Sequence, residues 1–90
     1  MESHPVPTRA AVATWVTLQI ASYLQLAPDV IRTDVPVAEY GMDSVLALGL
    51  CGDIEDEFEL VVDPTSAWDY PTIDLLSAFI HDQLATPELT

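Results

Sequence analysis

Ninety residues, half of them hydrophobic, suffice for one domain around a single core and leave no room for a second; the domain is taken as residues 1–90, ordered over about 8–85 with frayed ends. Fifteen acids face two bases, Arg9 and Arg32, for a formal net charge of −13. Such a chain repels nucleic acid and anionic membrane, which are bound through Lys and Arg, and is steered instead toward basic surfaces.

Thr8 is placed to cap a first helix from Arg9 to about Leu26. At 100° per residue Val12, Ala13, Val16, Ile20, Tyr23 and Leu24 share one face, with Trp15 and Leu18 off it. Pro28 is expected to end the helix. Residues 27–43 lose the period, and a connection this long is functional or holds a short turn of helix. Val30, Ile31, Val35 and Val37 are expected to pin it to the core. A second helix runs from Ser44 to about Glu59, with Ala47, Leu48, Leu50, Cys51, Ile54 and Phe58 inward and Val45, Gly49, Gly52, Asp53 and Asp56 outward. Asp63-Pro64 announces a short third helix, proline taking its first position, which ends before Tyr70 because Pro71 follows. Thr72 caps a last helix with Asp74 in its first turn and Ile73, Leu76, Ile80 and Leu84 inward. Leu60-Val61-Val62 reads as a strand, but it has no partner. The expected fold is all-α, a four-helix bundle of three longer helices and one short one.

Catalysis finds little support. His4 lies in the N-terminal tail and His81 near the end of the last helix, neither close to Ser44 in sequence, and no G-x-S-x-G elbow is present. Cys51 faces inward as a small core residue, and a single cysteine excludes both an intrachain disulfide and a Cys/His zinc site. That suits a reducing cytoplasm; there is no signal peptide, and no apolar run approaches the ~20 residues of a membrane span. The acidic run Asp53–Glu59 fails as a calcium loop, with Phe58 where glycine is needed and Pro64 where a bidentate Glu belongs.

The same run occupies the C-terminal half of a helix, where the macrodipole disfavours anions. Asp53 meets Asp56 and Glu57, and Glu55 meets Glu59, each pair costing a few tenths of a kcal/mol with no Lys or Arg in the helix to offset them. A face this one-sided points to docking on a basic partner rather than to solubility alone. Gly49 and Gly52 each cost about 1 kcal/mol relative to alanine inside a helix; they would let a partner approach beside Val45, or reflect neutral drift.

Tyr40-Gly41-Met42-Asp43-Ser44-Val45 sits where the long connection becomes the second helix. Gly41 permits a positive φ, and Ser44 stands at a helix N-terminus, where free N–H groups favour a phosphate. On these six residues alone, a modified Ser44 and a mere N-cap at Asp43 or Ser44 stand level.

The segment resembles the G-[hydrophobic]-D-S-[hydrophobic] signature of phosphopantetheine-binding carrier domains. Asp34-Val35-Pro36-Val37-Ala38-Glu39 upstream is similar to the family's approach to the serine. Phe58-Glu59-Leu60, Asp63-Pro64-Thr65 and Trp68-Asp69-Tyr70-Pro71-Thr72-Ile73 resemble the corresponding region of polyketide-synthase carriers, so the likeness covers about residues 9–85. The resemblance implies an acyl carrier protein of four-helix-bundle fold. A phosphopantetheinyl transferase would move 4'-phosphopantetheine from coenzyme A to Ser44, within the motif set by Gly41 and Asp43. The arm's thiol would hold an acyl group as a thioester for partner enzymes: an acyl-adenylating ligase or acyltransferase, and polyketide synthase components. The carrier itself would be a tethered, monomeric, cytoplasmic substrate without catalytic residues. The docking face would be Val45, Gly49, Gly52, Asp53 and Asp56.

Two features depart from elongating carriers. Leu48-Gly49-Leu50 stands where a basic residue is common, and Cys51-Gly52-Asp53-Ile54-Glu55-Asp56 is similar to carriers that serve ligases or act as discrete loading carriers. The initial Met and the end soon after the last helix suit a freestanding protein, or equally an excised domain. An aminoacyl or peptidyl carrier, and an unmodified acidic helical adaptor, are the alternative readings.

Overall fold

The computed structural model describes residues 6–85; His4 and most of the ends expected to fray lie outside them. Four α-helices form the bundle: α1 (Arg9–Leu24), α2 (Ser44–Phe58), the one-turn α3 (Ser66–Asp69) and α4 (Ile73–Ala85). Helix α1 packs chiefly along α4.

The capping residues explain where the long helices begin. Thr8 is extended and its hydroxyl accepts from the Ala11 N–H at 3.0 Å; Thr72 does the same for Leu75 at 3.1 Å. Helix α1 stops two residues short of the expected end. Gln25 turns left-handed (φ 58°), and the Leu26 N–H closes back on the Ala21 carbonyl at 2.9 Å, so the helix ends on its own hydrogen bonds before Pro28 is reached. Pro28 instead opens a 3₁₀ turn, Pro28–Val30, and a second turn, Val37–Tyr40, follows.

The core is built from Val12, Val16 and Ile20 of α1, Ala47, Leu50, Cys51 and Ile54 of α2, and Ile73, Leu76 and Ile80 of α4, all buried. Leu50, Ile54, Ile73 and Ile80 are at most 1% exposed; truncating any of them to alanine would cost about 2–5 kcal/mol. Trp15, off the apolar stripe of α1, meets Phe58 edge to face at 5.1 Å and closes one end of the bundle.

Three inward assignments are corrected. Leu48 is 56% exposed, because it lies about 100° from the centre of the buried face of α2, beyond the reach of the short α3. Val30 is 54% exposed; Ile31 and Val37 are the buried anchors of the connection. Leu84 is only half-buried at the end of α4.

The connection is tied down through its backbone: the Val37 N–H donates to the Pro71 carbonyl at 2.9 Å, and the Asp74 N–H to the Thr33 carbonyl at 3.0 Å. The Tyr40 hydroxyl accepts from the Arg32 N–H at 2.9 Å.

Helix α3 starts two residues later than expected. Asp63 accepts from both the N–H and the hydroxyl of Thr65, at 2.9 and 2.8 Å, and this side-chain turn occupies Asp63-Pro64-Thr65 before the helix begins at Ser66. Those two donors hold the Asp63 carboxyl below the ordinary range. Leu60-Val61-Val62 forms no strand: the Val62 N–H is taken by Glu55 at 3.0 Å while Val61 is 98% exposed. Among the described residues no helix is long and apolar enough to cross a membrane.

Candidate functional site at the start of the second helix

Four consecutive residues set up the site. Gly41 ends its 3₁₀ turn at φ 108°, a backbone that side-chain-bearing residues rarely adopt. The chain reverses there, and Met42 drops into the core at 5% exposure. Asp43 is extended and caps α2: its carboxylate accepts from the Leu46 N–H at 2.9 Å and its carbonyl from the Ala47 N–H at 2.8 Å. Ser44, the first residue of α2, is therefore spared the capping role. Its side chain is exposed, and its hydroxyl makes no hydrogen bond to a described residue.

A phosphate fits this position. The Ser44 oxygen sits at the positive end of the α2 dipole, beside first-turn N–H groups that have no intrahelical partner. An open cleft of about 230 Å³ adjoins it, lined by Ala47, Leu48, Pro64, Thr65 and Trp68. Leu48 and Trp68 were not assigned to a site from the sequence. Leu48 was read as core. Trp68 carried a usable signal, a large aromatic in a one-turn helix too small to bury it, and it is 43% exposed.

The outer face of α2 divides. Val45 (74% exposed), Gly52 and Asp56 point to solvent as expected, joined by Leu48. Gly49 and Asp53 belong elsewhere: both are half-buried on the flank toward α1. The Tyr23 hydroxyl donates to Asp53 at 2.5 Å, and a Cβ on Gly49 would lie 2.9 Å from that same oxygen. Gly49 thus makes room for Tyr23, which is the return on its helix cost. The Tyr23 pKa is pushed up to about 12, first by the hydrogen bond to Asp53, then by burial and the carboxylate charge. Glu55 is also engaged, accepting from Val62 and fixing the loop after α2.

The remaining nucleophiles are not gathered at Ser44. His81 lies half-buried near the end of α4. Cys51 is 4% exposed with its Sγ 4.0 Å from the Asp63 carbonyl, and burial, then the Glu55 and Asp63 charges, push its thiol up. Among the described residues no group of three or more His, Cys, Asp or Glu side chains is placed to hold a metal ion.

Comparison with known proteins gives a consistent picture. A family model described as "phosphopantetheine attachment site" matches residues 14–80. The polyketide synthase ThaG of Burkholderia thailandensis is 28% identical over 89 residues, 90% of this chain but 2% of the synthase's length. The structure of a free-standing peptidyl carrier protein from Acinetobacter baumannii superposes with a TM-score of 0.82 at 34% identity, covering 84% of this chain and 95% of that one. The acyl carrier protein LipD from Actinoplanes friuliensis gives 0.75 at 36% identity, covering 97% and 98%.

Proposed function

This chain belongs to the phosphopantetheine-attachment family of carrier proteins, and from that premise we propose that Ser44 bears the 4'-phosphopantetheine arm and that the carrier serves polyketide assembly. The observation that carries the site is the division of labour at the start of α2: Asp43 caps the helix, leaving the Ser44 hydroxyl exposed and without a described partner. A phosphopantetheinyl transferase would be the first partner. In its active site the Ser44 oxygen would bond to the phosphorus that bears the pantetheine of coenzyme A. The bond to adenosine 3',5'-bisphosphate breaks, that nucleotide leaves, and the serine proton passes to a base on the transferase. Once attached, the arm supplies a terminal thiol that holds an acyl group as a thioester.

The residues of this chain position and shield rather than react. Gly41 turns the backbone, Met42 anchors it, and the helix N-terminus favours the phosphate. Leu48, Pro64 and Trp68 offer an apolar wall beside the attachment point. Val45 and Asp56 face outward toward ligases, acyltransferases or synthase components that would load and unload the carrier. The likeness to polyketide synthases supports an acyl cargo; the likeness to a peptidyl carrier supports an aminoacyl cargo on the same arm as the second reading.

Incubation with coenzyme A, magnesium and a broad-specificity transferase should add one group of about 340 Da, the mass of the covalent adduct. Ser44→Ala should keep its helix content and gain nothing. An adduct on the alanine variant, or none on the wild type with several transferases, overturns the assignment.

A further inference from the structure

Gly52 lies in the middle of α2, exposed, and unlike Gly49 it has no internal reason to be glycine. A Cβ there would meet nothing within 4 Å, and Gly41 is the described glycine that carries a positive φ. Neither crowding nor backbone geometry within the chain excludes alanine, which would strengthen the helix. Leu48 and Asp56 lie one turn before and one turn after on the same exposed face. Gly52 therefore forms a gap in an otherwise side-chain-covered ridge. It is bounded by an apolar side chain on one side and a carboxylate on the other.

The missing charge on this ridge is a cation. Helix α2 contains no Lys or Arg. Of the chain's two arginines, Arg32 is held in a two-point ion pair by Asp34, at 3.1 and 3.0 Å, and Arg9 stands at the start of α1. Asp56 makes no hydrogen bond or ion pair to a described residue. An arginine suits the gap better than a lysine. Its long stem covers apolar surface, and its flat guanidinium can lie on bare backbone while pairing with a carboxylate through two parallel hydrogen bonds.

We infer that Gly52 is the floor of a notch that receives an arginine of a partner protein, the stem crossing the helix beside Leu48 and the guanidinium pairing with Asp56. The inference rests on the carrier reading above, in which α2 meets partner enzymes. It adds a position at which partners are selected: one that presents an arginine at that point docks closely, and one that presents a carboxylate or a flat apolar surface does not.

The test uses a broad-specificity phosphopantetheinyl transferase as probe. Its dissociation constant is measured on the unmodified carrier without coenzyme A, so the reading does not depend on Ser44 being modified. Gly52→Ala should raise the melting temperature by roughly 4–8 °C, as a helix-strengthening change does in a domain of this size. It should nevertheless weaken binding about tenfold. Asp56→Asn should weaken it comparably, and the double variant should be little worse than either single one, because both changes remove the same inserted side chain. Gly52→Ala binding as tightly as wild type overturns the notch, as do two losses that multiply independently or a failure of the transferase to bind the wild type at all. Tight, Gly52-dependent binding with no adduct at Ser44 would instead overturn the attachment site and leave the notch standing.

Discussion

The Tyr23 hydroxyl donates to the Asp53 carboxylate at 2.5 Å, joining the last turn of α1 to the middle of α2 directly over the backbone of Gly49. Three residues expected to play separate parts thus form one structural clasp. An acid that looked free for a partner is occupied inside the carrier.

The clasp makes Tyr23 a reporter of alkaline unfolding. Its folded pKa is raised from 10.0 to about 12, so the neutral phenol is favoured in the folded state. That stabilisation is fully present below pH 10 and is lost as pH rises from about 10 to about 12. Phenolate absorbance across this range should show a component near pH 12 that disappears in Tyr23→Phe. The variant should also melt lower, by about 1–3 kcal/mol of stability, as a hydrogen bond to a charged acceptor contributes. A titration identical in wild type and Tyr23→Phe would remove the clasp from the account.

Gly49→Ala should destabilise the fold although alanine is the better helix former. The new Cβ would lie 2.9, 3.2 and 3.3 Å from the Tyr23 Oη, Cζ and Cε1, so the ring must shift and the bond to Asp53 must stretch or break. A loss of about 1–3 kcal/mol is expected, in the range of overpacked sites. Denaturant unfolding should show it, and Gly49→Ala in a Tyr23→Ala background should be neutral or stabilising.

Ser77 is 1% exposed in α4, and its hydroxyl has no hydrogen-bond partner. Ser77→Ala removes an unsatisfied buried group and improves helix propensity, so it should stabilise the protein by about 1 kcal/mol. A fall in melting temperature would mean that the hydroxyl finds a partner in solution.

Charge effects should separate by position. With a net charge of −13, melting temperature should rise between low and moderate sodium chloride as repulsion is screened. Asp56→Asn should leave stability nearly unchanged yet slow association with a transferase, through kon, by a factor that shrinks as salt rises. Asp53→Asn should do the reverse, costing stability through Tyr23. Equal behaviour of the two variants in stopped-flow and thermal measurements would contradict the division of the acidic face.

Local chemistry made much of this legible in advance. Thr8 and Thr72 cap the helices they precede, and period alone placed Val12, Val16, Ile20, Ile54 and Ile80 inside. The candidate serine was readable because glycine, acid and serine fall together where a connection becomes a helix. What escaped depends on contacts between distant segments. No local pattern says that Tyr23 reaches residue 53, thirty positions on, or that Glu55 turns back to hold Val62. Leu48 was misplaced for a related reason: its hydrophobicity was read as burial, but the flank it occupies is covered by nothing in the bundle. The early start given to α3 came from treating Asp63 as a helix cap, when both oxygen-bound donors belong to Thr65 in a turn ahead of the helix.

Cys51 is the chain's only thiol, buried, with burial and two nearby carboxylates favouring its protonated form. A protein that ferries thioesters on a flexible arm faces a hazard of its own making. An accessible thiolate in the same chain would take the cargo by exchange and strand it. Burying the one candidate keeps the arm chemically alone. The same seclusion gives a simple assay: in the folded protein a thiol-reactive dye should stay silent before the arm is attached and count one equivalent after it, so labelling stoichiometry reads out the loaded fraction of the population.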